Sequence, residues 1–176
     1  MRDIAHERRG FTVIEILVVI GIIGLLAVMA MVGFARARDA AMEAKARADL
    51  DAIRSGIGIL VQDTGKWPNG CPAEEVANPE IQLSAAQAGL KSPPTVGNQG
   101  GGCFWTADEV GKWNGPYAGF GSDPWGQEYH FDPDYQPYAN CGSQTARTER
   151  PAIVSFGPNG TGLNGYDCDD IWLDLR

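Results

Sequence analysis

Apolar side chains run almost unbroken from Phe11 to Phe34, and the spacing of apolar positions changes twice between there and the C-terminus. At about 1.5 Å per residue, a helix over residues 11–34 reaches about 36 Å, enough to cross a hydrocarbon layer of about 30 Å. An ordinary secretory signal has a shorter apolar stretch followed by a small-residue cleavage site, so this segment reads as a spanning helix. Residues 36 to 62 contain no proline and are rich in Ala, Glu, Lys, Arg and Leu, so the helix is expected to continue. Here Ala46, Leu50, Ile53, Ile57 and Leu60 recur at spacings of four and three, one stripe for a globular part to cover. Lys45, Asp49 and Arg54 fall on the opposite, solvated face, and Glu43 with Arg47 forms an i,i+4 pair. Gly56 and Gly58 weaken the helix locally, and Thr64-Gly65 followed by Pro68-Asn69-Gly70 ends it.

Residues 65 to 126 read as loop-rich, with Ser84 as N-cap of a short helix to Leu90, then Pro93-Pro94 and a glycine-rich stretch from Gly97 to Gly102. The period then shortens to two. Residues 127–132 alternate Tyr129 and Phe131 against Glu128 and His130, and residues 152–156 and 171–175 form two more short apolar runs. Short strands joined by Gly, Pro and Asn turns predict a small antiparallel sheet. The fold class is therefore α+β, one long N-terminal helix packed on that sheet.

Charge divides the chain of 176 residues in the same place as hydropathy. Arg2, Arg8 and Arg9 precede the apolar run, whereas the part from Arg36 onward carries 11 basic and 19 acidic side chains. The positive-inside bias keeps the N-terminus in the cytoplasm and sends the acidic part across the membrane. A net charge of -8 argues against a nucleic-acid partner, which requires clustered Lys and Arg. The cysteines, Cys71, Cys103, Cys141 and Cys168, all lie in the exported part without metal-site spacing, so disulfides are expected. Of the three connectivities, pairing Cys71 with Cys103 and Cys141 with Cys168 closes two moderate loops and is favoured; free buried thiols are the alternative. Glu15 is an ionisable group inside the apolar run, costing about 2.5 to 3.5 kcal/mol at a bilayer centre. Either it meets a partner or it reaches the interface.

At Arg8-Arg9-Gly10-Phe11-Thr12-Val13-Ile14-Glu15 the chain resembles the processing site of type IV prepilins and their pseudopilin relatives. The resemblance implies a pilin-like fold and a leader, residues 1–10, cut after Gly10 by prepilin peptidase, with methylation of the new amino terminus on Phe11. It further implies an assembly helix over 11–34, its soluble continuation over 35–64, and a periplasmic domain over 65–176. Glu15 would neutralise the Phe11 amine of a neighbouring copy in a helical homopolymer. Gly21, Gly24, Ala27 and Ala30, at every third position, would let helices approach closely. Relatives commonly carry a proline where this chain has Val32, beside Gly33.

Landmarks in the second half are similar to those of the major, G-type pseudopilin of type II secretion systems. They are Ala48-Asp49-Leu50, Gly65-Lys66-Trp67-Pro68, Trp113-Asn114-Gly115-Pro116-Tyr117 and Asp123-Pro124-Trp125-Gly126-Gln127-Glu128-Tyr129. Each reads structurally: Pro and Gly fix turns, while Trp113 and Trp125 fill the core. The resemblance implies a subunit of a periplasmic pseudopilus that leaves the inner membrane with an assembly platform and minor pseudopilins. A type IV pilus subunit for adhesion, motility or DNA uptake is the neighbouring alternative.

Three carboxylates, Asp167, Asp169 and Asp170, fall within four residues. A solvated acidic turn accounts for them, and so does a hard cation wanting six to eight oxygens. The G-type resemblance implies Ca²⁺, with side-chain ligands Asn159, Asp167, Asp169 and Asp170 and carbonyl ligands Phe156 and Thr161. Asn159 stands where an Asp is usual, and Cys168 is an unusual insertion. A membrane-anchored hydrolase is the contrasting class. His6 lies in the leader and His130 on an expected strand, without a nucleophile, His and acid set, so the chain is read as no enzyme. Glu74-Glu75 and Asp108-Glu109 read as solvated helix or loop positions.

Overall fold

The computed structural model describes residues 10–73, 75, 78–100, 103–145 and 147–176, with the side chains of Val32 and Gly100 left out. The leader positions Arg2, His6, Arg8 and Arg9, together with Glu74, Gly101 and Gly102, lie outside the described residues. The chain divides at Ala41/Met42 into two units. The helix α1 (Val13–Thr64) passes through that division.

Within the first unit α1 has no covered face among the described side chains. Val13, Ile16, Leu17, Ile20, Ile23, Leu26 and Phe34 are all exposed. The helix satisfies its own backbone hydrogen bonds, so such a segment persists in hydrocarbon or among copies of itself but not bare in water. It is apolar and long enough to cross a membrane.

The second unit is α+β. Its sheet has the order β1 (Ile81–Gln82), β4 (His130–Tyr135), β5 (Arg150–Ser155), β6 (Ile171–Asp174), antiparallel throughout. A separate hairpin pairs β2 (Gly97–Gly100) with β3 (Cys103–Trp105). Ala46, Leu50, Ile53, Ile57 and Leu60 form the helical side of the core, and Trp105, Tyr129, Phe131 and Ile153 are among the buried residues that complete it. Ala152, Val154 and Tyr135 form a second cluster with Trp172 and Tyr166. Alternation along β5 sends Ile153 into one cluster and its neighbours Ala152 and Val154 into the other.

Thr64 ends α1 by turning its hydroxyl back to the Leu60 carbonyl at 2.7 Å, and Gly65 follows with φ 76°, its N–H reaching Val61 O at 2.8 Å. That left-handed residue closes the helix as a glycine C-cap.

Several expectations are corrected. Asp49 is not a purely solvated position, because it accepts the hydroxyl of the buried Tyr129 at 2.9 Å and fastens α1 to the sheet side of the core. The helix expected from Ser84 to Leu90 is only a 3-10 turn, Ala86–Ala88, whose N-cap residue Ala85 makes no side-chain bond and which Gly89 stops at φ 70°. The first long strand begins at His130 and not at Gln127, since Asp123 and Gln127 close a turn through Asp123 N to Gln127 O at 2.7 Å. It continues through Pro133, which lacks a donor and falls in the register shift between Asp132 and Tyr135. The hairpin β2–β3 lies where loop was expected. Likewise α2 (Ala107–Gly111) holds Asp108 and Glu109 in its first turn, with Thr106 and Glu109 as a reciprocal capping box and Lys66 Nζ 3.3 Å from Glu109. Trp113 and Trp125 are only partly buried, and Trp105 fills the core instead.

Gly56 sits where the 117–118 segment crosses the helix. A Cβ there would lie 2.8 Å from the Tyr117 carbonyl oxygen and 2.9 Å from Ala118 Cβ. Helix propensity alone favours Ala over Gly by about 1 kcal/mol, but overpacking costs typically about 1–3 kcal/mol and here meets backbone. Gly56→Ala is therefore expected to lower the melting temperature measured by circular dichroism. An unchanged or higher value would show that the segment yields freely.

Candidate functional site

At the first unit's N-terminus Phe11 is 85% exposed, and Gly10 has open space around it. Thr12 donates both its N–H and its hydroxyl to Glu15 Oε2, each at 2.8 Å, and the Glu15 N–H returns to Thr12 Oγ1 at 3.3 Å. This is a capping box at the start of α1, so in the single chain the Glu15 carboxylate satisfies orphan donors of its own helix. The Thr-x-x-Glu spacing at 12–15 was the available sequence signal for it.

In the second unit the motif residues are tied together structurally. Asp123 Oδ1 accepts the N–H groups of Trp125 at 3.0 Å and Gln127 at 2.8 Å, while Oδ2 accepts the Ser155 hydroxyl from β5. Tyr117 accepts Asn114 N–H and donates to Asp63 Oδ2 at 2.8 Å, and Trp113 Nε1 donates to Gly89 O at 2.6 Å. His130 is buried beneath Phe156 with ring centroids 4.6 Å apart, and burial lowers its pKa toward the neutral imidazole. Disulfides join Cys71 to Cys103 and Cys141 to Cys168, with Cα separations of 4.8 and 5.0 Å.

The acidic loop is arranged otherwise than a cation cage requires. Asp167 Oδ1 accepts Asp169 N–H at 3.3 Å, and Oδ2 accepts the Asn159 side-chain amide at 2.7 Å. Asp169 Oδ1 accepts the same amide, and Oδ2 accepts Asn159 N–H at 3.1 Å. Four carboxylate oxygens thus each take an N–H. Asn159 Oδ1, the atom a metal would need, accepts the N–H of Thr161. Asp170 Oδ2 accepts the Tyr135 hydroxyl at 3.0 Å, and its Oδ1 is buried without a partner. Burial and the neighbouring carboxylates push the Asp170 pKa up to about 7. Phe156 stacks on His130, and its ring fills the space beside Gly162. Asp167 and Asp169 converge on the Asn159 amide nitrogen, a donor that repels a cation, and the side-chain set as arranged does not fit that ion.

A different trio does gather. Glu80, Asp132 and Asp134 place one oxygen each within 4.8 Å of one another. Asn78 donates to Asp134 at 2.9 Å, Asn164 donates to Glu80 at 2.9 Å, and Asp134 N–H donates to Asp132 Oδ1 at 3.0 Å. Asp132 is 4% exposed, and its pKa is raised to about 8 by burial first, then by Glu80 and Asp134. A proton retained on Asp132 relieves part of the repulsion among the three acids. Sequence reading missed the trio because Glu80 is remote in sequence from Asp132 and Asp134, and only β1–β4 pairing unites them.

Residues 6–31 match the family described as Prokaryotic N-terminal methylation motif. The match covers the leader junction and most of the apolar stretch, and supports placing the chain with the pilin and pseudopilin superfamily as a prepilin-like precursor. It fits a structural subunit whose apolar helix is a membrane anchor. Comparison with curated proteins and with solved structures gave no match.

Asp132 makes stability depend on pH. Its folded pKa of about 8 stands above an unfolded value of about 4, so in between the folded chain retains a proton that the unfolded chain has released. The contribution is complete below about pH 4 and is lost as pH rises through about 8. Melting temperature should fall over that window, and Asp132→Asn should flatten the fall. Parallel pH profiles for the two proteins would remove the trio from the explanation.

Proposed function

We propose that this chain is the major pseudopilin of a type II protein secretion system, a structural subunit of a periplasmic fibre. The observation that carries the reading is the N-terminal methylation motif running directly into an apolar helix that lies uncovered in the single chain. A helix of this kind stays in lipid until copies of itself replace the lipid, and polymerisation accomplishes that exchange. The landmarks from Trp113 to Tyr129 favour the pseudopilin over the pilus subunit. In this fold their roles are internal ties, as expected of a domain that displays itself in a fibre and performs no chemistry.

Processing by prepilin peptidase removes residues 1–10 and leaves Phe11 as the methylated amino terminus. Glu15 then faces the amine of Phe11 in an adjacent copy. In an apolar bundle, removing one member of such a pair strands the other charge, which is far more costly than exposing either to water. The pair sets the axial register of neighbouring helices. Before assembly, the Thr12 capping box gives the carboxylate hydrogen-bond partners within its own chain. The assembly platform and minor pseudopilins act in the inner membrane, where the chain resides with its N-terminus in the cytoplasm.

Mass spectrometry of the mature protein is expected to find residues 1–10 missing and one methyl group added to Phe11. An intact leader would overturn the reading. Glu15→Ala should still be inserted and cleaved yet form no fibre, seen by cross-linking and electron microscopy. Deletion of the gene should trap secreted proteins in the periplasm; normal secretion with loss of surface fibres or twitching would favour the pilus subunit.

A further inference from the structure

The contradiction between an acidic turn and the absence of a cation cage has a local answer in Asn159. Asp167 and Asp169 face each other across the turn, and their charges repel. The Asn159 amide nitrogen lies between them and donates one hydrogen to each, at 2.7 Å for Asp167 Oδ2. Its backbone N–H adds a bond to Asp169 Oδ2. The orientation of the amide is determined by its surroundings. Reversed, the oxygen would face two carboxylates, and the NH2 group would face the Thr161 N–H that Oδ1 now accepts.

We infer that the Asn159 side-chain amide occupies the place of a cation in this loop, so that the turn closes by hydrogen bonds and a disulfide and is independent of calcium. An aspartate at 159 would add a third carboxylate facing Asp167 and Asp169 and remove the donor that separates them. A metal or a retained proton would then have to offset the repulsion. Asparagine lowers the charge and supplies two N–H groups at the same point. The same loop is also held from outside. Cys168, between the two acids, is joined to Cys141, and Asn140 N–H donates to Tyr166 O at 3.1 Å, with the Asn140 amide on Gly165 O. Asp170 is engaged with Tyr135 on β4 and contributes no oxygen to the Asp167 and Asp169 pair. Covalent closure and an internal donor make the geometry independent of ion supply.

The inference concerns the loop of a single chain and is read without fibre formation, so its failure is distinct from failure of the pseudopilin assignment. The test uses the full-length chain in detergent micelles, unfolded by heat with near-ultraviolet circular dichroism, in excess Ca²⁺ or excess chelator. Calorimetric titration with Ca²⁺ runs alongside. The wild type should melt at the same temperature in both and give no binding heat. Asn159→Asp should melt several degrees lower than wild type in chelator, recover with Ca²⁺, and bind the ion stoichiometrically. Asn159→Ala should melt lower than wild type and ignore Ca²⁺. A wild type that binds Ca²⁺ or is stabilised by it, with the effect removed by Asp169→Ala, would overturn the inference. So would an Asn159→Asp chain as stable as wild type in chelator and blind to Ca²⁺.

Discussion

One continuous helix carries two kinds of surface, apolar all round and then a single apolar stripe, and this constraint organises the chain. A helix buries its backbone donors and acceptors within itself, which is why it alone among single-chain elements can stand uncovered in hydrocarbon. Residues 13–34 have the length and composition for it, with apolar side chains on every side but for Glu15 and none covered among those described. From Ala46 onward the same helix carries a stripe that needs a partner, and the core clusters against it. The change from an all-round apolar surface to a stripe is written into side-chain spacing alone. No break in the helix accompanies it until Thr64 and Gly65.

Beside the sheet and the core, a few polar ties hold the seams of the domain beyond the helix. Asp49 receives the Tyr129 hydroxyl, Asp63 receives that of Tyr117, and Asp123 gathers two backbone N–H groups and the Ser155 hydroxyl. Each tie joins segments far apart in sequence or closes a turn that regular pairing leaves open. A typical hydrogen bond contributes about 0.5–1.5 kcal/mol net, and leaving a buried partner unpaired costs more than the bond contributed. Motifs such as Asp123-Pro124-Trp125-Gly126-Gln127 thus require no active site to explain them. Gly56 belongs to the same set, because the crossing of Tyr117 and Ala118 leaves no room for a Cβ.

The parts legible in the sequence are those where one local signal decides. The stripe from Ala46 to Leu60, the helix end at Gly65 and the two strands around Ile153 and Trp172 follow from periodicity and a left-handed glycine. Elements set by tertiary contact are less legible. Strand β1 has two residues and exists because Ile81 and Gln82 pair with Phe131 and His130. Ser84 carries a capping side chain but lies too early, and the turn it precedes never lengthens into an α-helix. Pro133 argues against a strand and is accommodated at a register shift. The Thr106 and Glu109 capping box has its signature in the sequence, yet so short a helix gives no periodicity to draw attention to it.

The acidic loop illustrates why a residue set and its chemistry are separate questions. The expected ligands are present and adjacent, yet oxygen atoms make a metal site only when they converge with lone pairs free. Here each oxygen of Asp167 and Asp169 already accepts one N–H group, the side-chain N–H groups of Asn159 stand at the point where they meet, and Asp170 accepts the Tyr135 hydroxyl. Exchanging one oxygen for an NH2 group at position 159 reverses the local electrostatics, from three acceptors awaiting a cation to two acceptors sharing a donor. The Cys141 to Cys168 bridge closes a span with a sequence separation of 27. Loop closure of that order stabilises a fold by about 3.5 kcal/mol in the chain-entropy account. A disulfide formed under oxidising conditions is a covalent cross-link made once, whereas an ion must be retained by affinity at every moment.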